Sequence, residues 1–319
     1  MHTRSLSDRN EVFVATEGGS SGARIDKGKV LSFPRDSRQS GCSSPAVLPS
    51  PFLKWVGGKG RVLAQLIPLL PTGAGRMRHV EPFVGGGALF FHRCPGRALL
   101  SDVNEALVST YRAIQTEVES VIDALSEISL GHCKEAYYGI RTDYNSSRHA
   151  FSSMQAARFI YLNKTCFNGL HRVNKKGEFN VPAGRYKNPK IVDAARLRAA
   201  SLVLQGVGIE QASFEGLLET AKPGDFVYFD PPYEPVSRTA SFTSYASDGF
   251  SREDQIRLRD VFVALDRRGC KLMLSNSDVP FIQELYDGFS IDKIAAPRAV
   301  NCKGRGRGRV LEVVVRNYT

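Results

Sequence analysis

The stretch RHVEPFVGGGALFF, residues 78–91, decides the fold. It reads as a strand, then the glycines at 85–87, then the apolar start of a helix. A glycine turn between a strand and a helix lets a ligand approach the backbone closely. ALLSD, residues 98–102, predicts a second strand that ends at Asp102. Asp102 follows Gly85 by roughly the spacing expected of an acid that binds ribose. This order indicates a nucleoside-bearing cofactor, although Asp102 can also be read as the N-cap of a helix over 105–115.

Further strands are predicted outward from this unit, at 226–229, 271–274, 290–292 and 310–315. The last two are expected to pair antiparallel through a basic loop at 303–309, which either clamps phosphates or is a solvated hairpin. The fold class is therefore α/β, an open and mostly parallel sheet with helices on both sides. Ligands of such sheets bind at the carboxyl ends of the strands.

Asp230, Pro231, Pro232 and Tyr233 directly follow the apolar run FVYF at 226–229. Proline has no N–H, so this turn offers acceptors without competing donors. The Asp230 carboxylate and the Pro231 carbonyl, beside the ring of Tyr233, suit the two donors of an NH2 group on a stacked base. Read in isolation, the tetrapeptide is equally compatible with an acidic turn and a core tyrosine.

The structured chain is expected to begin at FLKWVGGK, residues 52–59, followed by a helix over 62–70 that stops at Pro71. The backbone amides of the glycine loop, together with Lys59, can receive an anion such as a carboxylate. Trp55, the only tryptophan, either covers an aromatic ring or packs in the core.

The region 116–200 differs from the sheet-forming parts. Helices are predicted at 118–128 and 154–162, then a hairpin within NKTCFNGLHRVNKKGEFNVP, residues 163–182, closed near 174–177. Its charges are nearly all positive, and Asn and Arg are the side chains best shaped to contact adenine and guanine edges. A solvated basic loop is the alternative interpretation.

Composition and charge narrow the classes of protein that fit this sequence. The 319 residues carry a formal charge of +11, which favours a polyanionic partner. The six cysteines are scattered without a C-x-x-C pair, so neither structural zinc nor a disulfide framework is predicted, and no metal site is expected. No apolar run is long enough to span a membrane, and the N-terminus lacks the apolar region of a secretory signal. Residues 1–50, rich in Ser, Gly and Pro, are expected to be a disordered tail.

Taken together, these motifs resemble the DNA adenine methyltransferase (Dam) family, in which the cofactor motif comes first and DPPY last. The resemblance covers roughly 52–319 and implies a Rossmann-like methyltransferase domain from 51–115 and 201–319, with a target-recognition region at 116–200. It assigns cofactor contacts to Trp55, Lys59, Phe83, Gly85, Asp102 and Asp230. DNA contacts fall on Lys54 and on the hairpin residues Asn168, Leu170, Arg172, Asn174 and Pro182.

The function implied is methyl transfer from S-adenosylmethionine to adenine N6 in duplex DNA, with GATC as the expected target. The base is expected to flip out of the helix, and its amino group to be held by Asp230 and Pro231 beside Tyr233. The expected protein is a cytoplasmic monomer. The sequence leaves open whether a cognate restriction endonuclease, a phage or host regulation is its context.

Rival classes share parts of this pattern. Methyltransferases acting on cytosine N4, RNA or a glutamine amide share the amine-accepting site, but they leave the basic hairpin unexplained. An inactive DNA-binding module does not explain why every predicted catalytic position carries the expected residue. A dinucleotide oxidoreductase accounts for the glycine turn and Asp102 but not for Asp230 to Tyr233.

Overall fold

The computed structural model describes residues 47–236, 250–297 and 309–319. Its strands are His79–Glu81 (β1), Ala98–Asp102 (β2), Gly208–Gln211 (β3), Phe226–Phe229 (β4), Lys271–Ser277 (β5), Ser290–Pro297 (β6) and Arg309–Arg316 (β7). They form one seven-stranded sheet in the order β3-β2-β1-β4-β5-β7-β6. Strands β1 to β5 are parallel, and β7 is antiparallel to both of its neighbours. The predicted open, mostly parallel sheet and the antiparallel pairing of its last two strands are confirmed.

Helices lie between the strands along the chain. Their bounds are Leu63–Leu66 (α1), Ala88–Arg93 (α2), Glu105–Thr116 (α3), Val118–Ser129 (α4), Lys134–Ser146 (α5), Ser153–Thr165 (α6), Ala194–Leu204 (α7), Leu217–Thr220 (α8), Arg252–Arg267 (α9) and Pro280–Leu285 (α10). Single 3-10 turns occur at Lys59–Arg61, Ile67–Leu69, Ala74–Arg76, Phe167–Gly169 and Phe214–Gly216.

Strand β4 shows why the central strands are apolar at every position. Val227 and Phe229 pack in a cluster with the apolar side chains of α9. Phe226 and Tyr228 point to the opposite face and pack with residues of α1. All four side chains are buried because helices cover both faces, as expected of a parallel sheet.

The order of strands places a switch point between β1 and β4. From β1 the chain proceeds through α2 to β2 on one side, whereas from β4 it proceeds through α9 to β5 on the other. The carboxyl ends of β1 and β4 therefore flank a crevice of the kind in which open α/β sheets bind ligands. Asp230 follows β4 directly, so it lies at this position.

The hairpin follows α6 and is confirmed in outline. Its antiparallel pairing consists of the isolated bridges Cys166↔Ala183 and Val173↔Phe179. The turn closes where the Gly177 amide donates to the Asn174 carbonyl at 2.9 Å. The predicted helices at 118–128 and 154–162 are also present, as α4 and α6.

One predicted helix is wrong in its extent. The pattern at 62–70 predicts a continuous helix, but α1 covers only Leu63–Leu66 and a 3-10 turn at Ile67–Leu69 follows. Pro68 lies inside that turn and has no N–H to extend an α-helix. Strand β3 and helices α5, α7, α8, α9 and α10 were not anticipated from the sequence.

Two expectations fall on residues outside the described ranges. The expected tail at 1–50 is described only from residue 47, and the basic loop at 303–309 only from residue 309. Within the described ranges, no helix has the length and apolar character needed to cross a membrane. No cluster of three or more His, Cys, Asp or Glu side chains in those ranges is placed to hold a metal ion.

Candidate active site

Asp230 is ion-paired at the carboxyl end of β4. The Nζ of Lys59 lies 2.7 Å from its Oδ1, and the side chains of Lys59 and Asp230 are 5% and 21% exposed. Lys59 also donates to the Gly57 carbonyl at 2.6 Å, so the glycine loop fixes the ammonium group. Burial raises the pKa of Asp230 to about 6, although Lys59 opposes this shift. The group is therefore a carboxylate at neutral pH and becomes protonated in mild acid.

The ring of Tyr233 contacts the same ammonium group. The Nζ of Lys59 is 4.6 Å from the centroid of its ring, a cation–π distance. The Tyr233 hydroxyl donates to Glu312 on β7 at 2.9 Å, which fixes the ring from its far end. Burial raises the pKa of Tyr233 well above its ordinary value, so the hydroxyl stays protonated. Lys59, Asp230 and Tyr233 form one contact group, although Lys59 lies far from the other two in the sequence.

The two prolines between Asp230 and Tyr233 differ in their surroundings. Pro231 is buried and Pro232 is exposed. The Pro232 carbonyl accepts a hydrogen bond from Gln255 at 3.0 Å. Among the described residues, no donor is bonded to the Pro231 carbonyl.

Gly85 and Asp102 form a second group beside the first. The Gly85 amide donates to Asp102 Oδ2 at 3.2 Å, and the Asn104 amide donates to Oδ1 at 3.0 Å. Burial raises the pKa of Asp102 even though these bonds oppose the shift. The N-cap of α3 is Asn104, which accepts from the Leu107 amide, so the N-cap interpretation of Asp102 is wrong.

The glycine turn needs a residue without a side chain. Gly85 has a φ of +45°, and a Cβ there would lie 2.6 Å from Cδ1 of Trp55. Trp55 is half-buried, packing against the core while covering this turn. It also stacks on His171 of the hairpin, with ring centroids 5.6 Å apart and planes inclined by 21°. Burial lowers the pKa of His171 to about 4, so this ring is neutral.

Phe83 belongs to an aromatic cluster on the opposite side of the turn. Its ring stacks on Phe214 at 5.6 Å and meets Phe250 edge-on at 5.8 Å. Phe214 and Phe250 were not predicted as site residues. They lie far apart in the sequence within otherwise ordinary segments, so no local pattern could have identified them.

The residues expected to contact DNA lie around the hairpin and differ in their exposure and hydrogen bonding. Asn163 clamps the backbone of Lys54 by accepting from its amide at 2.8 Å and donating to its carbonyl at 2.7 Å. The Lys54 Nζ donates to the Lys164 carbonyl and lies 4.2 Å from the ring centroid of Tyr186. The segment 54–59 therefore connects the hairpin to both groups of the crevice.

Arg172 and Asn174 are held by bonds within the hairpin. Arg172 Nε donates to Asn180 Oδ1 at 2.7 Å, which orients the guanidinium. The Asn174 side chain accepts from the amides of Lys176 and Glu178 and donates to the Glu178 carboxylate at 2.8 Å. Asn174 thus builds the turn with both ends of its amide.

Asn168, Leu170 and Pro182 lie nearer the base of the hairpin. Asn168 and Pro182 are exposed, and Leu170 is half-buried. Asn168 has a φ of +56°, which is uncommon for a residue other than glycine and clusters at functional sites. The adjacent Phe167 is an exposed ring, with 46% of its surface accessible, that was not predicted as a site residue.

Two cavities lie away from this edge of the sheet. One, of about 300 Å³, is lined mainly by α3 and the residues from Tyr144 to Phe159. The other, of about 370 Å³, lies at the amino ends of β1 and β4 and includes Arg76, Arg78 and Arg97. Neither contains a residue of the predicted site.

The sheet topology and this acid-and-aromatic edge define an α/β enzyme of the methyltransferase class. The model of the D12 class N6 adenine-specific DNA methyltransferases matches residues 55–300, and the chain belongs to this family. The chain is 45% identical over 285 residues to the type II methyltransferase M.MjaIII of Methanocaldococcus jannaschii, covering 84% of this chain and 99% of the relative. M1.LlaDCHI of Lactococcus lactis subsp. cremoris, also named a type II methyltransferase, is 45% identical over 84% of this chain and 95% of its own. The DNA adenine methylase of Escherichia coli (strain K12) is 34% identical over 82% of this chain and 93% of its own.

Proposed function

We propose that this enzyme transfers a methyl group from S-adenosylmethionine to N6 of adenine within GATC in duplex DNA. The position of the Lys59 ammonium carries the proposal. It is an N–H donor bonded to Asp230 at 2.7 Å while it lies 4.6 Å from the centroid of the Tyr233 ring. An exocyclic amino group of a base stacked on Tyr233 makes the same two contacts.

Asp230 and Pro231 hold the amino group of the target adenine. Its two N–H bonds donate to the Asp230 carboxylate and to the Pro231 carbonyl, which no described donor occupies. These contacts aim the nitrogen at the methyl donor and favour its pyramidal, more nucleophilic form as positive charge develops. The carboxylate form of Asp230 is required, so activity depends on a group with a pKa of about 6.

The second group fits the methyl donor. Among the described residues, the donors to Asp102 are backbone amides alone, which leaves lone pairs for ribose hydroxyls. Gly85 lets the indole of Trp55 pack directly on the turn, because any Cβ there would collide with it. Phe83 supplies an aromatic wall, and Lys59 supplies a cation for a carboxylate. When bound, the sulfonium supplies an electrophilic methyl group for direct transfer.

Residues 116–200 read the target in this proposal. A base inside a duplex cannot reach Asp230, so the adenine flips out at a cost of a few kcal/mol. Arg172 is oriented by Asn180 for a base edge, and Asn168 and Pro182 are exposed nearer the base of the hairpin. Lys54, Leu170 and Asn174 complete the expected surface. Asn174 reaches DNA only if it gives up bonds of the turn.

The test uses labelled S-adenosylmethionine with three unmethylated duplexes that contain GATC, a scrambled site of the same composition, or cytosine without adenine. Label is expected in the GATC duplex alone, and the product is expected to resist an endonuclease that cuts only unmethylated GATC. Equal transfer to the scrambled duplex contradicts the target sequence. A fluorescent base analogue at the target position must brighten on binding if the base flips.

A restriction–modification role is a further proposal, supported by the two 45% identical relatives named type II methyltransferases. The partner in that case is an endonuclease that cuts the unmethylated target. Cells that express this enzyme are expected to survive expression of such a nuclease. Cells that express the Asp230→Ala variant are not expected to survive it. We also propose a cytoplasmic monomer; a solution mass of about twice the 35.1 kDa chain contradicts the monomer.

A further inference from the structure

A buried polar network lies directly behind the Asp230–Tyr233 turn. Gln255 of α9 and Asn276 of β5 are both fully buried, and Ser277 is 5% exposed. Buried amides are costly unless their donors and acceptors are satisfied, so a network of this kind fixes its members strongly. No sequence motif pointed to these residues.

The orientation of both amides follows from fixed backbone donors. Asn276 Oδ1 accepts from the amides of Glu234 at 3.1 Å and Ser277 at 2.8 Å, so this atom must be the oxygen. Asn276 Nδ2 therefore donates to Gln255 Oε1, at 3.1 Å. Gln255 Nε2 is in turn left to donate to the Pro232 carbonyl, at 3.0 Å. The direction of every bond in the chain is thus determined.

The turn is held from behind at three successive residues. Pro232 is held by Gln255, and the Tyr233 hydroxyl by Glu312. Glu234 is held through its amide by Asn276 and through its carbonyl by Ser277 Oγ at 2.7 Å. The Pro231 carbonyl belongs to the peptide plane next to these fixed points, so its direction is set by them.

We propose that Gln255 and Asn276 are positioning residues that aim the Pro231 carbonyl and Asp230 at the amino group of the target base. The inference rests on the proposed function, since it concerns the same acceptor pair. Neither residue touches the substrate. Each acts through the backbone of the turn, and a misplacement of about 1 Å at such a site costs about a hundredfold in rate.

Gln255→Glu tests this, because it changes one donor while keeping the size of the side chain. An ionised Glu presents an oxygen to the Pro232 carbonyl and repels it. A protonated Glu donates to that carbonyl and still accepts from Asn276. Burial raises the pKa of such a carboxyl. The charged groups facing this part of the network are Glu234, which is 7% exposed, its partner Arg252, and Glu312 of β7, which is the sheet partner of Ser277 and the acceptor for Tyr233. Asn276 and Ser277, which β5 contributes, are neutral.

The measurement is the single-turnover methyl-transfer rate of variant and wild type from about pH 6 to about pH 8.5, at saturating cofactor and DNA. The ratio of variant to wild type is expected to be about one tenth or less at the high end and to rise toward one at the low end. Binding constants for cofactor and DNA are expected to be unchanged. Gln65→Glu is the matched control, because the exposed Gln65 donates to the Ala295 carbonyl at 2.9 Å, away from the turn.

Ser277→Ala is a second variant in case Gln255→Glu fails to fold. It removes one bond to Glu234, and we expect a rate about threefold lower with unchanged binding. A Gln255→Glu ratio that is independent of pH overturns the positioning role. If Gln255→Glu does not fold, a wild-type rate in Ser277→Ala overturns it, because the hold on Glu234 that Ser277 shares with Asn276 then does not set the rate. Absence of methyl transfer by the wild type to any duplex overturns the proposed function instead, so the two failures are distinguishable.

Discussion

The turn after β4 and the hairpin between α6 and α7 carry the two halves of the proposed activity, and they are built differently. The turn follows a fully buried strand and is held by side chains of α9, β5 and β7. The return arm of the hairpin is anchored to α5, because Asn145 is bonded to Phe179 and Tyr137 donates to the Val181 carbonyl. The exposed turn at 174–177 is held by short-range bonds such as those of Asn174. In the proposed function, chemistry therefore rests on a buried scaffold, whereas recognition rests on an exposed turn that can adjust to DNA.

The largest expected effect is that of Asp230→Ala in the turn. Turnover is expected to fall by about a thousandfold or more, because the amino group loses its charged acceptor. DNA affinity is expected to change little, since the hairpin supplies the contacts to the duplex. A single-turnover assay and a gel-shift titration measure the two quantities. Asp260→Ala, at a side chain 63% exposed, is the control; a parallel loss of DNA binding in Asp230→Ala contradicts the separation of roles.

Lys59→Met probes the electrostatics of the turn. Burial raises the pKa of Asp230 and Lys59 lowers it, so removal of Lys59 moves this pKa above about 6. Since the carboxylate is the active form, activity is lost as pH falls through this pKa. The acidic limb of the pH–rate profile at saturating cofactor is therefore expected to move to higher pH. The exposed Lys271→Met should leave that limb in place, and an unmoved limb in Lys59→Met contradicts the argument.

Arg172→Ala moves the comparison to the hairpin. Discrimination at one base pair is expected to relax by about 1–3 kcal/mol, because a base-reading side chain is lost. Methyl transfer to a panel of single-mismatch duplexes measures it. Lys175 is an exposed cation of the same turn. Lys175→Ala is expected to weaken the binding of all duplexes alike, because a phosphate contact is lost. Uniform weakening in Arg172→Ala contradicts its assignment to base readout.

Gly177→Ala gives the smallest effect. Gly177 has a φ of +75° and no atom within 4 Å of an added Cβ, so strain of about 1 kcal/mol is the only cost. A slight loss of DNA affinity is expected, with the transfer rate at saturating DNA unchanged. Gly131→Ala carries the same strain in the loop between α4 and α5 and should leave DNA affinity unchanged. A lower transfer rate at saturating DNA in Gly177→Ala shows that the two regions are coupled.

Much of the fold was predictable because its signals are local. The strand, glycine turn and helix at 78–91, the strand that ends at Asp102 and the hairpin at 163–182 depend on neighbouring residues. The extent of α1 was not predicted, because the helical spacing of apolar residues over 62–70 was given more weight than Pro68. Strand β3 was missed because GIEQ is short and half polar, and it is fixed mainly by pairing with β2.

The candidate site was predictable only in part. Asp230, Tyr233, Gly85 and Asp102 stand in recognisable motifs, and the roles assigned to them stay predictions. Their partners do not stand in motifs: Glu312 holds Tyr233 from β7, and His171 stacks on Trp55 from the hairpin. Common residue types in unmarked segments become informative only through their contacts.

The sequence by itself determined the family, the order of the motifs and the parallel sheet, because these depend on residue type and short-range spacing. Tertiary structure alone decided that Lys59 lies between Asp230 and Tyr233, and that Gln255 and Asn276 fix the turn from behind. Lys59 and Asp230 lie far apart along the chain. They meet because the glycine loop before the 3-10 turn Lys59–Arg61 packs at the carboxyl end of β4, where Asp230 lies. The orientation of the Gln255 and Asn276 side-chain amides was likewise set by backbone donors, which come within reach only once the strands have paired.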